Sequence, residues 1–192
     1  MKMVMATKNA HKIVEMRALL EGLDIEVLSE SDAGVDVEVE ETGETFEENS
    51  LLKAKSVMEA TGLPAVADDS GLCVTALGGG PGVYSARYGG EGLTDKERYE
   101  LVLENLKGQL DRSAKFVSVL TACFPDGTVL TARGECPGLI TYTPRGDGDF
   151  GYDPIFLVPE GSFAQIPPEV KDARSHRGRA LEQLRQKLEQ NR

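Results

Sequence analysis

Short apolar runs alternate with stretches of helical periodicity in the first part of the chain. Residues 2–6 and 24–28 are apolar runs of strand length. Residues 9–21, which separate them, are predicted to form a helix, because apolar residues recur there three and four positions apart. The recurring residues are Ile13, Met16 and Leu20. The pattern therefore predicts a strand, a helix and a second strand in that order.

A second helix is predicted to begin after Thr45 and to run to about Ala60. Thr45 is followed three positions later by Glu48, the capping-box spacing of a helix start. Two stripes run along this helix. The predicted core face is the apolar stripe of Leu51, Ala54 and Met58. The other stripe is mixed in character and consists of Phe46, Asn49 and Lys53.

Two segments on either side of this helix have extended patterns. Residues 35–44 alternate valine with aspartate or glutamate, which predicts an edge strand with one solvent-exposed face. Residues 64–72, PAVADDSGL, are an apolar run that ends in two adjacent aspartates. Ser70 and Gly71 are typical turn residues, so we expect this strand to end at Asp69.

The rest of the chain continues the mixture of helices and strands. A third helix is predicted after the cap residue Thr94. Residues 115–123 and 128–136 flank the turn sequence PDG and predict a β-hairpin. Residues 143–156 form a polar, glycine-rich loop that leads into a short strand. A last helix begins at about Arg177 and carries Leu181, Leu184 and Leu188 on one face. The predicted fold class is α/β with mixed strands.

Composition narrows the classes of protein to which the chain can belong. With 192 residues, 40% of them apolar, it is expected to form a single globular domain over residues 1–192. The net charge of −11 argues against a nucleic-acid polymer as partner, because such partners need a basic surface. No segment has the pattern of a signal peptide or membrane span, so we expect a cytoplasmic protein with no membrane partner. The three cysteines lack CxxC spacing and are expected to be buried and reduced.

The segment ATKNAHK, residues 6–12, follows the first strand and opens the first helix. Free backbone N–H groups at a helix start bind anions, and polar side chains add donors at the same place. These side chains belong to Thr7, Lys8, Asn9 and Lys12. The segment lacks the GxxxxGK[ST] pattern of a P-loop. A capped helix start with solvated lysines is the alternative interpretation.

Four acidic residues form a second candidate group. Glu40 and Glu41 precede a glycine turn, and Asp68 with Asp69 ends the apolar run of residues 64–68. Carboxylates at a strand end suit Mg²⁺, which is held by one or two carboxylates together with phosphate oxygens and water. The alternative is a polar turn with no ligand. Histidine is too sparse for a zinc site, since only two are present.

Two later segments combine aromatic and cationic residues. The sequence FGYD, residues 150–153, offers aromatic faces that can stack on a base, although a Phe close to a Tyr is more often part of a core. The sequence SHRG, residues 175–178, precedes the last helix and follows Lys171. The alternative interpretation is that His176 is a helix cap or a surface residue with no ligand.

In this order, these segments resemble the inosine triphosphate pyrophosphatase family from residue 3 to about residue 184. The resemblance rests on ATKNAHK, EETGETFEENSLLKA, ADDSGLCVTALGGGPGVYSARY, GDFGYDPIF and SHRGRAL. It implies an elongated mixed sheet flanked by helices, with two lobes around a central nucleotide-binding cleft. It also implies a homodimer that uses Mg²⁺ to cleave inosine, deoxyinosine and xanthosine triphosphates to the monophosphate and pyrophosphate.

The resemblance also implies roles for individual residues. Asp69 would be the general base, and either Glu40 or Glu41 would hold the metal together with Asp69. On chemical grounds, apart from the resemblance, Lys53 is expected to supply fixed positive charge and Asp68 to steady the metal or the water. The substrate-binding residues would be Thr7, Lys8, Asn9, Ala10, His11, Lys12, Ser70, Phe150, Gly151, Tyr152, Asp153, Lys171, His176 and Arg177. Many family members have a glycine where this chain has His11, which puts the contact of the phosphate loop in question.

Physical chemistry favours the same assignment. Hydrolysis at the α-phosphorus needs a positioned water, a base to accept its proton and cations to offset the charge on the phosphates. Asp69 is the expected base, and Lys12 and Lys53 are the expected fixed cations. A pyrophosphatase for damaged pyrimidine nucleotides and a nucleotide sensor without turnover are the alternatives. A substrate panel separates the first of these, and intact carboxylates disfavour the second.

Overall fold

The computed structural model describes residues 1–148 and 150–191, and within them seven strands form one mixed sheet. The strand order is β2-β1-β3-β4-β5-β6-β7. The strands are β1 (Lys2–Met5), β2 (Glu26–Ser29), β3 (Ala65–Val74), β4 (Ser113–Cys123), β5 (Val129–Ile140), β6 (Phe156–Val158) and β7 (Gly161–Ser162). The helices are α1 (Ala10–Leu19), α2 (Phe46–Thr61), α3 (Asp95–Asn105), α4 (Pro168–Arg174) and α5 (His176–Gln190). The predicted α/β class with mixed strands is confirmed.

Local sequence explains where the helices begin and end. Thr45 caps α2 by accepting a hydrogen bond from the Glu48 N–H at 3.1 Å, and Gly62 ends that helix in the left-handed conformation at φ 69°. Thr94 and Glu97 form the predicted capping box of α3. The hairpin of β4 and β5 and the apolar stripe of α5 are also as predicted.

Alternation along β1 and β3 places α1 and α2 on opposite faces of the sheet. The two strands run parallel, with Val4 opposite Ala65 and Met5 opposite Val66. One face packs against α1 through Met3, Met5 and Val66. The other face packs against Ala54 and Val57 of α2 through Val4, Ala6, Ala65 and Ala67. Because side chains alternate along a strand, Asp68 follows the α1 face and Asp69 follows the α2 face.

Contact between residues divides the chain into two compact units. The first comprises residues 1–69, 118–134 and 179–192, and its core is built on the sheet faces that carry α1, α2 and α5. The second comprises residues 70–117 and 135–178. Its core joins α3 to the later strands through Leu72, Val102, Phe116, Phe156 and Phe163. No helix within the described residues combines the length and the apolar character that crossing a membrane requires.

Three expectations about local structure are wrong. Residues 35–44, all of which the structure describes, are irregular and do not join the sheet, although their valines are half-buried and their acidic residues 36, 38 and 40 are exposed. β3 continues through Ser70 and Gly71 to Val74, because sheet pairing outweighs their turn propensity. The core face of α2 includes Ser50, Ala54 and Val57, whereas Leu51 of the predicted stripe is 37% exposed.

The structure also tests the predicted burial of the cysteines and contains one helix that was not predicted. Cys123 and Cys136 are buried as predicted, and Cys73 is only half-buried; all three are free thiols. The short helix α4, Pro168–Arg174, was not predicted from the sequence, since seven residues offer little periodicity. It begins with a proline in its first turn and carries Lys171.

Candidate active site

The loop between β1 and α1 orders the start of the first helix. Asn9 is the N-cap residue, and its side-chain oxygen accepts a hydrogen bond from the His11 N–H at 3.0 Å. The Asn9 N–H in turn donates to the Thr7 hydroxyl at 3.2 Å. Lys8 and Ala10 are exposed at the same helix start. The loop thus presents polar groups at the positive end of the helix dipole.

Lys12 extends from α1 to the first aspartate of β3. Its Nζ lies 2.6 Å from Oδ2 of Asp68, and the Asp68 side chain is only 6% exposed. The pair lies on the face of the sheet that α1 covers. Asp68 is therefore held by a lysine and is part of a half-buried ion pair.

Lys53 extends from α2 to the second aspartate of β3. Its Nζ lies 3.5 Å from Oδ1 of Asp69 and 3.0 Å from Oε1 of Glu41. The same Nζ donates to the backbone carbonyl oxygen of Asp68 at 2.5 Å. Lys53, a member of the mixed stripe of the helix, therefore faces the acidic residues.

Burial makes Asp69 a stronger base than an ordinary aspartate. Loss of solvent raises the pKa of its carboxyl to about 6, and the charge of Lys53 and the side chain of Asn49 offset only part of this effect. The Oδ2 atom is buried and has no hydrogen-bond partner among the described residues. Asp69 thus carries an oxygen that is desolvated and available to a proton, a water or a cation.

Lys53 keeps its proton in the same surroundings. Burial lowers the pKa of its ammonium, but the carboxylates of Asp69, Asp68 and Glu41 outweigh burial and raise the pKa overall. The lysine is therefore a fixed positive charge in the pH range where Asp69 titrates.

A cavity of about 450 Å³ opens beside these residues in the first unit. Three lysines and three carboxylates line it together with apolar side chains. The polar lining consists of Thr7, Lys8, Lys12, Lys53, Glu30, Glu38 and Asp68. The three ammonium groups have the chemistry to bind an anion such as a polyphosphate, and the neighbouring carboxylates offset part of their charge.

The carboxylates of Glu41 and Asp69 fit a divalent cation. Within the described residues, no group of three or more histidine, cysteine or acidic side chains is arranged as a metal site. Oε1 of Glu41 and Oδ1 of Asp69 nevertheless converge on one point, the Lys53 ammonium. Two carboxylates supplemented by phosphate oxygens and water are a usual donor set for Mg²⁺.

The second unit contains a separate aromatic and charged cluster. Lys171 Nζ lies 2.5 Å from Oδ2 of Asp153, and burial raises the pKa of the Asp153 carboxyl more than the lysine lowers it. The same ammonium lies over the ring of Phe150, 5.4 Å from its centre, and over that of Phe163 at 5.6 Å. Phe150 is 73% exposed, so its ring is accessible to a ligand.

Neighbouring residues fix the shape of this cluster. The Tyr152 hydroxyl donates to the Ser85 carbonyl oxygen at 2.6 Å, and the Gly151 N–H donates to Asp95 Oδ2 at 3.1 Å. His176 stacks on Phe116 with ring centres 4.8 Å apart. Arg177, the next residue, is half-buried.

The sequence-predicted residues thus divide between the two units. Thr7 to Lys12, Glu41, Lys53, Asp68 and Asp69 belong to the first unit, and Phe150 to Asp153, Lys171, His176 and Arg177 to the second. Three predicted residues are more exposed than expected of a site. Glu40 and Ser70 are exposed, and His11 is 81% exposed and pairs with Glu15 at 3.1 Å.

Asn49 is a residue of this region to which the sequence alone assigned no role. It is fully buried and its amide bonds to the backbone of Gly43. An asparagine inside an amphipathic helix, one turn before a lysine on the same face, was the pattern from which it could have been found.

Comparison with known proteins gives a consistent result. Residues 3–187 match the model of the Ham1 family. The chain is 50% identical over 189 residues to a dITP/XTP pyrophosphatase of Shigella flexneri, with 95% of each chain covered. It is 51% identical to the dITP/XTP pyrophosphatase of Thermus thermophilus, covering 96% of this chain and 90% of the relative. The solved Ham1 protein of Staphylococcus aureus superposes with a TM-score of 0.94 at 40% identity, with 100% of both chains covered.

Proposed function

The chain belongs to the Ham1 family, and we propose that it hydrolyses non-standard purine nucleoside triphosphates to the monophosphate and pyrophosphate. The relatives named dITP/XTP pyrophosphatase support dITP and XTP as substrates, since they share about half of their residues with it over nearly its whole length. We include ITP, which carries the same base as dITP. Residues 1–192 act as one enzyme in this proposal.

The observation that carries the proposal is the Asp69 carboxylate beside Lys53. Its pKa of about 6 leaves it mostly ionised at pH 7 to 8 and yet basic enough to accept a proton from water. Its Oδ2 atom, which has no partner within the described part of the chain, is the expected acceptor. Asp69 thus acts as general base for the water that attacks the α-phosphorus.

Fixed cations offset the charge that builds on the phosphate oxygens. Lys12 and Lys53 line one cavity and bring ammonium groups from two helices on opposite faces of the sheet. Lys8 is exposed on the rim and pairs with Asp36 at 2.8 Å. We assign the triphosphate to this cavity.

Mg²⁺ is part of the proposal, with Glu41 and Asp69 as the residues that would hold it. Glu41 is preferred over Glu40 because it contacts Lys53 at 3.0 Å, whereas Glu40 is exposed. When bound, Mg²⁺ would neutralise phosphate charge and lower the pKa of a bound water. Asp68 is assigned to Lys12 and not to the metal, because its carboxylate pairs with that lysine.

Base recognition is assigned to the second unit. Phe150 offers an exposed ring for stacking, and Arg177, Lys171 and His176 supply donors for a carbonyl at purine position 6. Adenine carries an amine at that position and would oppose a donor, which disfavours ATP. Guanine shares the 6-carbonyl, so the refusal of GTP in this proposal depends on its 2-amino group. A homodimer, which the family resemblance implies, belongs to the proposal too, as does the cytoplasmic location expected from the sequence patterns.

A pyrophosphate-release assay tests the proposal. The substrates are ITP, dITP, XTP, ATP and GTP, each with and without Mg²⁺. We expect rapid release from the first three only with the metal present. Equal turnover of ATP and GTP would contradict the specificity, and release of inorganic phosphate in place of pyrophosphate would contradict the reaction.

A further inference from the structure

Asn49 occupies a position where an asparagine is costly unless it has a specific task. It lies in the first turn of α2, is fully buried, and precedes Lys53 by four residues on the same helix face. Asparagine is a poor residue for a helix interior, and a buried amide without hydrogen bonds costs free energy. The partners of its amide therefore indicate what it does.

Both ends of the Asn49 amide bond to the backbone of Gly43, and the same side chain also interacts with the Asp69 carboxyl. The Gly43 N–H donates to Oδ1 at 2.8 Å, and Nδ2 donates to the Gly43 carbonyl oxygen at 3.5 Å. A Cβ atom on Gly43 would lie 2.6 Å from that Oδ1 and 2.7 Å from Cβ of Glu48. The backbone of Gly43 is therefore pressed against the side chain of Asn49.

This clamp acts on a segment that lies outside the sheet and whose Glu44 N–H also donates to Oε2 of Glu48 in α2, at 2.6 Å. Gly43 belongs to the irregular stretch before α2, which the sheet does not hold. Glu41, two residues earlier, places Oε1 3.0 Å from the Lys53 ammonium. Asn49 and Lys53 thus fix the same segment from one helix, the first through the backbone and the second through a carboxylate.

We propose that Asn49 is a positioning residue, which clamps Gly43 and so holds the Glu41 carboxylate beside Lys53. The assignment rests on the proposed function, because it is there that Glu41 would hold Mg²⁺. A clamp that fixes a ligand carboxylate matters for rate, since displacing a reacting group by about 1 Å can cost about 100-fold.

The first test replaces Asn49 with leucine, which is similar in size but cannot hydrogen bond. We expect hydrogen exchange of the Gly43 amide to accelerate about 5- to 13-fold, because a hydrogen bond worth about 1 to 1.5 kcal/mol is lost. The affinity for Mg²⁺, measured by calorimetry with the metal alone, should fall, and kcat should fall by about 10- to 100-fold. Ser50→Ala is the matched control, since Ser50 is equally buried and its hydroxyl bonds, within the described residues, only to Thr121, at 2.6 Å, and to the Glu47 carbonyl oxygen. It should leave kcat, Mg²⁺ affinity and Gly43 exchange unchanged.

A second variant keeps the proposal testable if Asn49→Leu does not fold. Gly43→Ala leaves α2 intact but pushes the segment away from Asn49. It should reproduce the losses in Mg²⁺ affinity and kcat. If both Asn49→Leu and Gly43→Ala retain wild-type affinity and kcat, Asn49 has no positioning role.

A double-mutant cycle with Glu41→Gln decides whether Asn49 acts through Glu41. If it does, Asn49→Leu should reduce kcat by less than about threefold once Glu41 is already replaced. Independent, additive losses would overturn the proposal. If the wild-type protein releases no pyrophosphate, the proposed function fails, and the same cycle measured on the free energy of unfolding then tests the clamp by itself. Additivity in that cycle, or unchanged exchange at Gly43 in Asn49→Leu, would reject it.

Discussion

Asp68 and Asp69 are consecutive on β3, yet their carboxylates contact lysines from different helices on opposite faces of the sheet. Asp68 lies 2.6 Å from Lys12 of α1, and Asp69 lies 3.5 Å from Lys53 of α2. The alternation of a continuous strand produces this separation, and no turn is needed. Lys53 also reaches the backbone oxygen of Asp68, so one lysine contacts both residues. The two aspartates are therefore expected to respond differently to substitution.

Asp69→Asn should reduce kcat by at least about 100-fold, because the amide cannot accept a proton from water. The raised pKa also predicts the acidic limb of the wild-type profile. Protonated Asp69 is no longer a base, so kcat/KM should be high above pH 6 and fall as the pH drops through about 6. Steady-state pyrophosphate release, measured as a function of pH for the wild-type protein and the variant, checks both predictions. Near-normal turnover in the variant would remove Asp69 from this role.

Lys53→Met should lower kcat/KM by about 100-fold or more while retaining the fold. Methionine keeps most of the apolar stem, but the positive charge that faces Asp69 and Glu41 is lost. Lys55→Met is the control on the same helix, since Lys55 is 61% exposed and its only ion pair among the described residues is a long one with Glu59. The kcat/KM of both variants, measured with dITP as substrate, provides the comparison. Equal effects at positions 53 and 55 would mean that the local contacts of Lys53 are unimportant.

Glu41→Gln should weaken Mg²⁺ binding and reduce kcat, whereas Glu40→Gln should change neither by more than about twofold. The two glutamates differ in their surroundings, since Glu41 faces the Lys53 ammonium and Glu40 is exposed. A Mg²⁺ titration of activity, together with calorimetry of the metal alone, separates the two positions. A larger effect at Glu40 would assign the metal to the other carboxylate.

Lys12→Met should destabilise the protein by about 2 kcal/mol, since it leaves the buried carboxylate of Asp68 without its lysine. Adding Asp68→Asn should restore part of this stability without restoring activity, because the cation is still missing. Lys8→Met should change stability much less than Lys12→Met, as its pair with Asp36 is exposed. Urea unfolding of the three variants provides the comparison. If the second substitution adds to the loss, the ion pair is not the source of the effect.

The parts of the fold that depend on local chemistry could be predicted from the sequence. The caps at Thr45 and Thr94, the stripe of α5 and the hairpin at PDG each need only residues a few positions apart. The pairing of strands that are distant in the sequence could not be predicted from such local patterns. Ser70 and Gly71 favour a turn, but they lie inside β3, and residues 35–44 alternate like a strand although the sheet does not include them.

The same limit applies to the candidate site. Helical periodicity placed Lys53 on the face that meets the aspartates, because a helix repeats regularly. The choice between Glu40 and Glu41 had no such basis, since an irregular segment has no period. It is set by the contact of Glu41 with Lys53 and by the bonds of Asn49 to Gly43. Both are tertiary contacts that no short pattern reveals.

The most direct test of the account is hydrolysis of XTP in water enriched in ¹⁸O, followed by mass analysis of both products. Attack of water on the α-phosphorus forms the new P–O bond on the nucleotide and expels pyrophosphate. The account therefore predicts one ¹⁸O atom in the monophosphate, none in the pyrophosphate, and loss of both products in Asp69→Asn. Label in the pyrophosphate or in inorganic phosphate would contradict it.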